Sequence, residues 1–285
     1  MTPDDSALAQ PADQSPQPDK TAVPPAAPRQ LGRVNGRGLW TLYRKEVQRF
    51  LNVFTQTVMA PVVTTLLFLA IFTLALGREG MGGSVSYAQF LAPGLVVMAI
   101  VQNAFANTAS SMVISKIQGN IVDVLMPPLA AWELVLGFLA GGVTRGLLVG
   151  SAVILAMTFF VELPFADPLA ILFYALNASI ALSLLGLLAG IWSEKFDHLA
   201  AVTNFVIMPL SFLSGTFYSL DRLPESWQNV ALFNPFFYMI DGLRYGVIGQ
   251  ADASLTVGAI YLVALNVALF AVIHRLVLRG WHLKA

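Results

Sequence analysis

The sequence contains no cysteine and little charge. Only 11% of its 285 residues are charged, 56% are hydrophobic, and the mean hydropathy is +0.70. Because soluble domains carry roughly 25% charged residues, this composition indicates an integral membrane protein. The absence of cysteine excludes disulfides, thiolate zinc sites and cysteine nucleophiles. The net charge of zero gives no indication of nucleic-acid binding.

Several catalytic and nucleotide-binding motifs are also missing. There is no G-x-x-x-x-G-K-[ST], so the chain has no phosphate-binding loop of its own, and there is no H-E-x-x-H. No group of His, Asp and Glu has the spacing of metal ligands. No Asp or Glu lies in the middle of an apolar stretch, where ion-coupled transporters usually carry one. The sequence therefore gives little support to an intramembrane enzyme or to a secondary transporter.

Residues 1–36 differ in composition from the rest of the chain. They are rich in proline, alanine, glutamine and aspartate and contain no long apolar run. Such a segment cannot bury enough surface to offset its ordering entropy, so we expect a disordered cytoplasmic tail, passive rather than a docking element. Its acidic start and its lack of an apolar h-region are unlike a signal peptide. The transmembrane domain is expected to occupy residues 37–285.

Six apolar stretches are long enough to cross a membrane. About 20 mostly apolar residues span the ~30 Å hydrocarbon core as a helix, and the stretches that satisfy this are 56–76, 90–112, 134–160, 169–191, 200–218 and 256–277. An all-α integral membrane protein with six transmembrane helices is therefore expected. Of the sixteen Lys and Arg residues, twelve fall on the side that holds both termini and three on the other. Because positive residues favour the cytoplasmic side, both termini are expected in the cytoplasm.

An amphipathic helix is predicted just before the first span, in "GLWTLYRKEVQRFLNVF". At about 100° per residue, one third of the helix surface carries Leu39, Trp40, Tyr43, Val47, Phe50, Leu51 and Phe54. The opposite side carries Arg44, Lys45, Gln48, Arg49 and Asn52. Leu42 and Glu46 do not fit the pattern. The position next to a span favours a helix at the cytoplasmic membrane interface over a cytosolic helix on another subunit.

The segment 219–248 is too polar to span a membrane and too apolar for an ordinary loop. Ser219 or Asp221 can cap a helix over 223–233, with Pro224 in its first turn. Asn234-Pro235 breaks that helix, and a second helix is predicted over 236–248. Each half is about half the bilayer thickness long. An extracellular re-entrant hairpin between helices 5 and 6 is therefore favoured over a hairpin lying flat on the membrane.

Charged residues within and next to the predicted spans suggest specific contacts. In the second half of the hairpin, Asp241 and Arg244 are three residues apart and can pair on one helix face. In the third span, Arg145 is the only charge deep inside a predicted span, and a structural polar contact is favoured for it over contact with an anionic substrate. The in-span amides are candidates either for a transport path or for hydrogen bonds between helices; they are Gln102, Asn103, Asn107, Asn177 and Asn204.

Glycine rows predict close packing between some spans. Residues 142, 146 and 150 form one row, with 137 and 141 alongside, and residues 186 and 190 form another. Small residues four apart allow helices to approach closely in lipid. Such rows are common in membrane bundles, so they predict packing and give no function.

The cytoplasmic loop 111–133 is predicted to contain a short helix over 115–126 that ends at Pro127-Pro128. Its apolar residues are Ile117, Ile121, Val124 and Leu125, with Lys116, Gln118, Asn120 and Asp123 around them. A half-apolar helix presented to the cytosol can dock in a groove of a partner protein. From the residues alone, a simple interfacial connector is equally well supported.

Two long stretches resemble the ABC-2 type permeases, the membrane subunits of bacterial ABC exporters. They are "YAQFLAPGLVVMAIVQNAFANTASSMVISKIQGNIVDVLMPPL" and "PLSFLSGTFYSLDRLPESWQNVALFNPFFYMIDGLRYGVIG". The chain is most similar to the subgroup of nodulation lipo-oligosaccharide and drug-resistance exporters. The resemblance implies six spans, an interface helix, a coupling helix and two extracellular half-helices in the bacterial inner membrane. It also implies an amphiphilic substrate moved outwards.

The resemblance further implies partners and site residues. Two permease copies would work, among membrane lipids, with two copies of a separate ATPase that binds ATP-Mg; this chain would have no cofactor of its own and no nucleic-acid partner. Coupling to the ATPase is expected at Arg44, Lys45, Arg49, Lys116, Ile117, Gln118, Asn120, Ile121 and Asp123. An extracellular gate is expected at Asp221, Pro224, Trp227, Asn234, Pro235, Tyr238, Asp241 and Arg244. The alternative is a secondary transporter or channel that needs no ATPase.

Overall fold

The computed structural model describes residues 34–76 and 85–283, which form helices joined by short loops. The α-helices are α1 Gly36–Leu51, α2 Ala60–Leu76, α3 Tyr87–Ile117, α4 Ile121–Leu125, α5 Ala131–Met157, α6 Pro168–Trp192, α7 Phe196–Val202, α8 Met208–Phe212, α9 Glu225–Phe233, α10 Pro235–Ile248 and α11 Leu255–Arg279. Two π-helical turns, Thr55–Met59 and Thr203–Ile207, lead into α2 and α8. Residues 1–33 of the predicted tail lie outside the described residues.

Within residues 34–76 and 85–283, five helices are long and apolar enough to cross a membrane. They are Thr55–Ala75, Tyr87–Ile117, Ala131–Met157, Pro168–Trp192 and Leu255–Arg279. The predicted span over 200–218 is represented by a shorter apolar helix, Phe196–Phe212. At 1.5 Å per residue this helix rises roughly 26 Å, somewhat less than the hydrocarbon core. It ends at Phe212, and the chain then turns, with Gly215 at a positive φ of 75°.

α3 lies at the centre of the bundle. Its start is fixed by a capping box, in which Ser86 accepts a hydrogen bond from the Gln89 backbone and Gln89 accepts one in return. α3 packs most extensively against α6 and α5. Within its most apolar window, 83% is buried inside the protein, compared with 17% for Thr55–Ala75. α3 is therefore surrounded by other helices on most sides, whereas Thr55–Ala75 lies at the periphery of the bundle.

The glycine rows do allow close packing between helices. A Cβ atom on Gly137 would lie 2.5 Å from Leu42 Cδ2, and one on Gly141 would lie 2.5 Å from Glu46 Cβ. The glycines of α6 lie in the same way against α3, and residues 142 and 146 of α5 lie against both α3 and α6. α1 therefore lies directly on the backbone of α5, as the small residues permit.

A helix, α1, forms where the amphipathic helix was predicted. Asn35 caps its start by accepting a hydrogen bond from Gly38. The buried residues are Leu42, Glu46 and Phe50, so both misfits of the apolar pattern point into the bundle. Of the predicted apolar stripe, Phe50 is buried with them, whereas Trp40, Leu51 and Phe54 are exposed, Trp40 by 62%.

The predicted helix over 115–126 is wrong as a single element. α3 continues through Ile117, the chain turns at Gly119 with a φ of 71°, and α4 covers only Ile121–Leu125. Glycine ends the first helix because it adopts the left-handed conformation at low cost. The predicted stop at Pro127-Pro128 is found, since α4 ends just before it.

The hairpin segment forms two helices close to those predicted. α9 begins at Glu225 and α10 at Pro235, with the break at Asn234. Asp221 does not cap α9; it lies in a 3-10 turn, Leu220–Arg222, and Pro224 directly precedes α9. α10 is mostly buried against α6, α3 and α11, whereas α9 is mostly exposed.

Candidate functional site

One end of the bundle carries a buried ionic network that joins α1 to α3. Glu46 is fully buried, and its carboxylate accepts hydrogen bonds from Ser111 Oγ at 2.7 Å and from Arg49 Nη2 at 3.2 Å. Arg49 also donates to Asn107 Oδ1 at 3.0 Å and to Ser110 Oγ at 3.1 Å. A buried charge without these partners would be costly. We call these five residues the Glu46 network; it joins α1 to α3 through buried hydrogen bonds.

A second set of contacts joins the start of α1 to the loop before α5. The Asn35 backbone N–H donates to Glu133 Oε1 at 2.6 Å, and the Asn35 side chain donates to the Pro128 carbonyl at 3.2 Å. The other oxygen of Glu133 accepts from the Ala130 backbone at 2.7 Å. α1 and the α4–α5 loop are therefore held together.

Between α1 and α4 lies a surface groove of about 470 Å³, which we call the α1–α4 groove. Its lining residues are Gly38, Thr41, Leu42, Lys45, Asn120, Asp123, Val124, Pro127 and Leu129. Three of the predicted coupling residues, Lys45, Asn120 and Asp123, are thus brought together from two separate parts of the sequence. The groove has apolar walls and a charged rim of both signs, which suits a protein helix.

The remaining predicted coupling residues divide into two groups. Arg44, Ile117 and Gln118 are exposed at the same end of the bundle. Three others make internal contacts: Arg49 belongs to the Glu46 network, Ile121 is 2% exposed, and Lys116 Nζ donates to the Ser193 carbonyl at 3.2 Å. Lys116 therefore joins the end of α3 to the end of α6.

At the opposite end of the bundle, Arg244 on α10 is buried and contacts several elements. Its Nη2 donates to the Gly215 carbonyl at 2.6 Å, and its guanidinium carbon lies 3.9 Å from the centre of the Phe90 ring on α3. Its Nη1 lies 3.8 Å from Asp252 Oδ2 and 4.0 Å from Asp241 Oδ1. The predicted Asp241–Arg244 pair is therefore a long ion pair within a larger cluster.

Asp241 has its own hydrogen-bond partners in the loop after α10. Its two oxygens accept from the backbone N–H groups of Asp252 and Ala253 at 2.7 and 3.0 Å. Asp252 Oδ2 in turn accepts from Ser219 Oγ and the Leu220 N–H, both at 3.1 Å. Sequence reasoning missed Asp252 because it lies in a polar loop, where no helical spacing relates it to Arg244.

The other predicted gate residues are placed differently from one another. Asn234 donates to the Leu210 carbonyl at 2.7 Å and accepts from the Phe236 N–H at 3.0 Å, so it joins the hairpin to α8. Tyr238 of α10 packs against α11, with the centre of its ring 5.2 Å from that of Tyr261. Trp227 is 53% exposed, and Asp221 is also exposed, so neither joins the Arg244 cluster.

A membrane-depth groove runs along one face of α3. One cavity of about 680 Å³ lies between α3 and the helix Thr55–Ala75, and another of about 370 Å³ lies between α3 and Phe196–Phe212. Both are lined by Gln102, Asn103 and Ser110 of α3. We call the two together the α3 groove. Each side of it includes a π-helical turn, a feature often found at functional sites.

Arg145 of α5 reaches the first of these cavities. Its Nη2 donates to Asn103 Oδ1 at 3.1 Å, and Asn103 donates to the Ala99 carbonyl at 3.0 Å. Of the in-span amides singled out from the sequence, Asn177 of α6 accepts a hydrogen bond at 3.0 Å from Asn266 of α11, and Asn107 belongs to the Glu46 network. Gln102 and Asn103 line the α3 groove, where Asn103 is buried, and Asn204 is exposed.

The helices that are long and apolar enough to span a membrane indicate a multi-pass membrane protein. The chain belongs to the ABC-2 type transporter family, whose model matches residues 37–248. It is 38% identical over 248 residues to the inner membrane transport permease YadH of Escherichia coli (strain K12), which covers 87% of this chain and 97% of YadH. It is also similar to nodulation protein J of Rhizobium leguminosarum bv. viciae, with 28% identity over 223 residues, 73% of this chain and 84% of that protein. Nodulation protein J of Rhizobium meliloti (strain 1021) is 26% identical over 237 residues, 79% of this chain and 88% of that protein.

Proposed function

We propose that this chain is the permease subunit of an ATP-driven exporter of the bacterial inner membrane. Two copies would work with two copies of a separate ATPase that binds ATP-Mg, and an amphiphile would move out of the cytoplasm or the inner leaflet. The observation that carries this proposal is the α1–α4 groove, which is backed by the Glu46 network. A groove suited to a partner helix is thereby connected to the central helix of the membrane bundle.

Six crossings are proposed for the chain, with Phe196–Phe212 and the turn after it as the fifth. α6 and α11 run in the same direction. Near the start of α6, Tyr174 donates its OH to the carbonyl of Leu255 at the start of α11, at 2.8 Å. At the other end, His282 Nδ1 lies 4.0 Å from Glu194 Oε1. Because α6 and α11 are parallel, the chain between them has to return across the membrane.

The cytoplasm is proposed to face the end that carries the α1–α4 groove, which puts both termini there. That end also holds Lys116, Lys195 and Arg279, in keeping with the preference of positive residues for the cytoplasmic side. α1 would then lie at the membrane interface, where its exposed apolar stripe, including Trp40, meets lipid. α9 and α10 would form the hairpin in the outer leaflet.

The proposed mechanism uses α3 as the moving element. Closure of the ATPase dimer would press on the α1–α4 groove, and the Glu46 network would pass the displacement of α1 to α3. At its other end α3 contacts the Arg244 cluster through Phe90, so the same movement would alter the hairpin. The α3 groove would face the second permease copy, because polar residues at that depth are costly against lipid.

Site-directed crosslinking tests this assignment, since the native chain has no cysteine to remove. Asp123→Cys places a single thiol in the α1–α4 groove, and Glu225→Cys places one on exposed α9 as the matched control. We expect Asp123→Cys, and not Glu225→Cys, to crosslink to an ABC-type ATPase in native membranes. Crosslinking from neither position, or from both equally, would contradict the proposed docking groove.

A further inference from the structure

Arg145 carries a charge at membrane depth that its surroundings do not neutralise. Its one side-chain hydrogen bond in the described structure is to the neutral Asn103, and its buried Nε has no partner there. Among residues 34–76 and 85–283, no Asp or Glu oxygen lies within 4.0 Å of the Arg145 guanidinium. A cation inside a membrane protein normally pairs with an acid or with backbone carbonyls. Arg145 therefore lacks the anion that its position calls for.

The nearest ionic network does not supply that anion. The carboxylate of Glu46 is already bonded by Arg49 and Ser111. Arg49 is close enough to Arg145 to repel it electrostatically. The two arginines and one glutamate leave one positive charge in excess, and this excess charge lies next to the α3 groove.

The cavity beside Arg145 has the size and the polarity of a binding site for an amphiphile. Its volume of about 680 Å³ falls within the range of small-molecule pockets, roughly 300–1,000 Å³. Arg145, Asn103 and Gln102 line it together with Gln56 and Thr57 of the π-helical turn. Further along, the wall becomes apolar, with Phe68, Leu95 and Met98. A charged head and an apolar tail would each meet a matching surface.

We propose that this cavity binds the anionic headgroup of the transported amphiphile, with Arg145 as the contact to its phosphate or carboxylate oxygens. The tail would lie against Phe68 and along the exposed side of Thr55–Ala75. Gln56 and Gln102 would donate further hydrogen bonds to the headgroup. The assignment rests on the proposed permease function and adds to it a substrate class, an amphiphile that carries a negative charge.

The test compares three probes on the full-length chain, purified in mild detergent with its associated ATPase. The probes are dioctanoyl phosphatidic acid, dioctanoylglycerol and inorganic phosphate, and binding is measured by titration calorimetry. The first two share their tails and differ in the phosphate. Wild type should prefer phosphatidic acid over dioctanoylglycerol by at least about tenfold, as expected for hydrogen bonds to a charged group. Inorganic phosphate alone should bind much more weakly than phosphatidic acid.

Variants assign the preference to Arg145. Arg145→Gln should abolish the preference for phosphatidic acid, whereas Arg145→Lys should keep a large part of it, because the charge remains. Arg275→Gln removes an exposed cation elsewhere on the chain and should change nothing. A merely structural Arg145 would not give this pattern, since loss of packing would weaken both lipids alike. An unchanged preference in Arg145→Gln would overturn the proposal.

A second variant covers the case in which Arg145→Gln does not fold. Ala60→Phe narrows the same cavity from its opposite wall and should weaken phosphatidic acid binding by about tenfold or more. Undiminished binding in Ala60→Phe would place the lipid elsewhere and overturn the proposal, as would equally tight binding of inorganic phosphate. If the ATPase is present and wild type shows no preference, the headgroup site fails while the exporter proposal stands. If no ATPase is present, the exporter proposal fails, and the preference can still be measured on the chain alone.

Discussion

At the scale of single residues, buried polar groups hold the two ends of α3 in place. Glu46 and Arg244 are both almost fully buried, and each bonds groups from other elements. The sequence placed Arg244 correctly on a helix face with Asp241. It could not identify Phe90, Gly215 or Asp252 as partners, because those contacts come from distant segments. It also could not indicate that Glu46, a misfit in the apolar pattern of α1, would be a central contact.

The Arg244 cluster leads to a prediction about charge exchange. Arg244→Gln should destabilise the protein by about 3–5 kcal/mol, the usual cost of removing one partner from a buried ionic cluster. The double exchange Asp241→Arg with Arg244→Asp should not recover this loss. The reason is that Asp241 accepts from Asp252 and Ala253 N–H groups, whereas Arg244 donates to the Gly215 carbonyl.

The stability of both variants is measured by thermal unfolding in detergent. Arg222→Gln, on the exposed 3-10 turn, is the control, and its unfolding temperature should remain close to that of wild type. Recovery of stability in the double exchange would show that the two side chains act mainly as a simple pair.

At the scale of helices, hydropathy and residue spacing predicted most elements. Where the observed helices differ from the predicted ones, a local turn is the cause. Five spans and both hairpin helices lie close to the predicted residues. The helix over 115–126 is divided because Gly119 adopts a left-handed conformation, a signal that "QGN" carries as a helix C-terminus. The helix α1 lies where it was predicted, but the amphipathic pattern did not indicate that Leu42 and Glu46 would point into the bundle.

The contact of α1 with α5 gives a prediction about helix packing. Gly141→Ala adds a methyl group that would lie 2.5 Å from Glu46 Cβ, so α1 has to move away from α5. We expect a loss of about 1–3 kcal/mol, typical of an overpacked interface, and weaker association with the ATPase. Gly36→Ala is the matched control, since a methyl group there meets nothing within 4 Å. Equal unfolding temperatures for the two variants would contradict this packing.

At the scale of the whole molecule, the bundle has two distinct ends, and α3 connects them. The end with the α1–α4 groove would face the cytoplasm, and the end with the Arg244 cluster would face outwards. Composition alone indicated the membrane, and the resemblance to ABC-2 permeases indicated the class of transporter. The positions of the grooves could not be derived from the sequence, because they depend on how α2, α3 and Phe196–Phe212 pack together.

Orientation can be measured with single cysteines on the cysteine-free chain. Gln118→Cys and Glu225→Cys both place a thiol on an exposed residue, at opposite ends of the bundle. A membrane-impermeant maleimide applied to intact cells should label Glu225→Cys and leave Gln118→Cys unlabelled until the cells are opened. The reverse pattern would invert the proposed topology.

The most direct test of the central claim is the composition of the complex that this chain forms. The full-length chain is purified from its native membrane in mild detergent after gentle crosslinking, and the proteins that accompany it are identified and quantified by mass spectrometry. The proposal predicts an ABC-type ATPase in equal amount to the permease. A pure permease with no ATPase, reproducibly and with crosslinker present, would contradict an ATP-driven exporter.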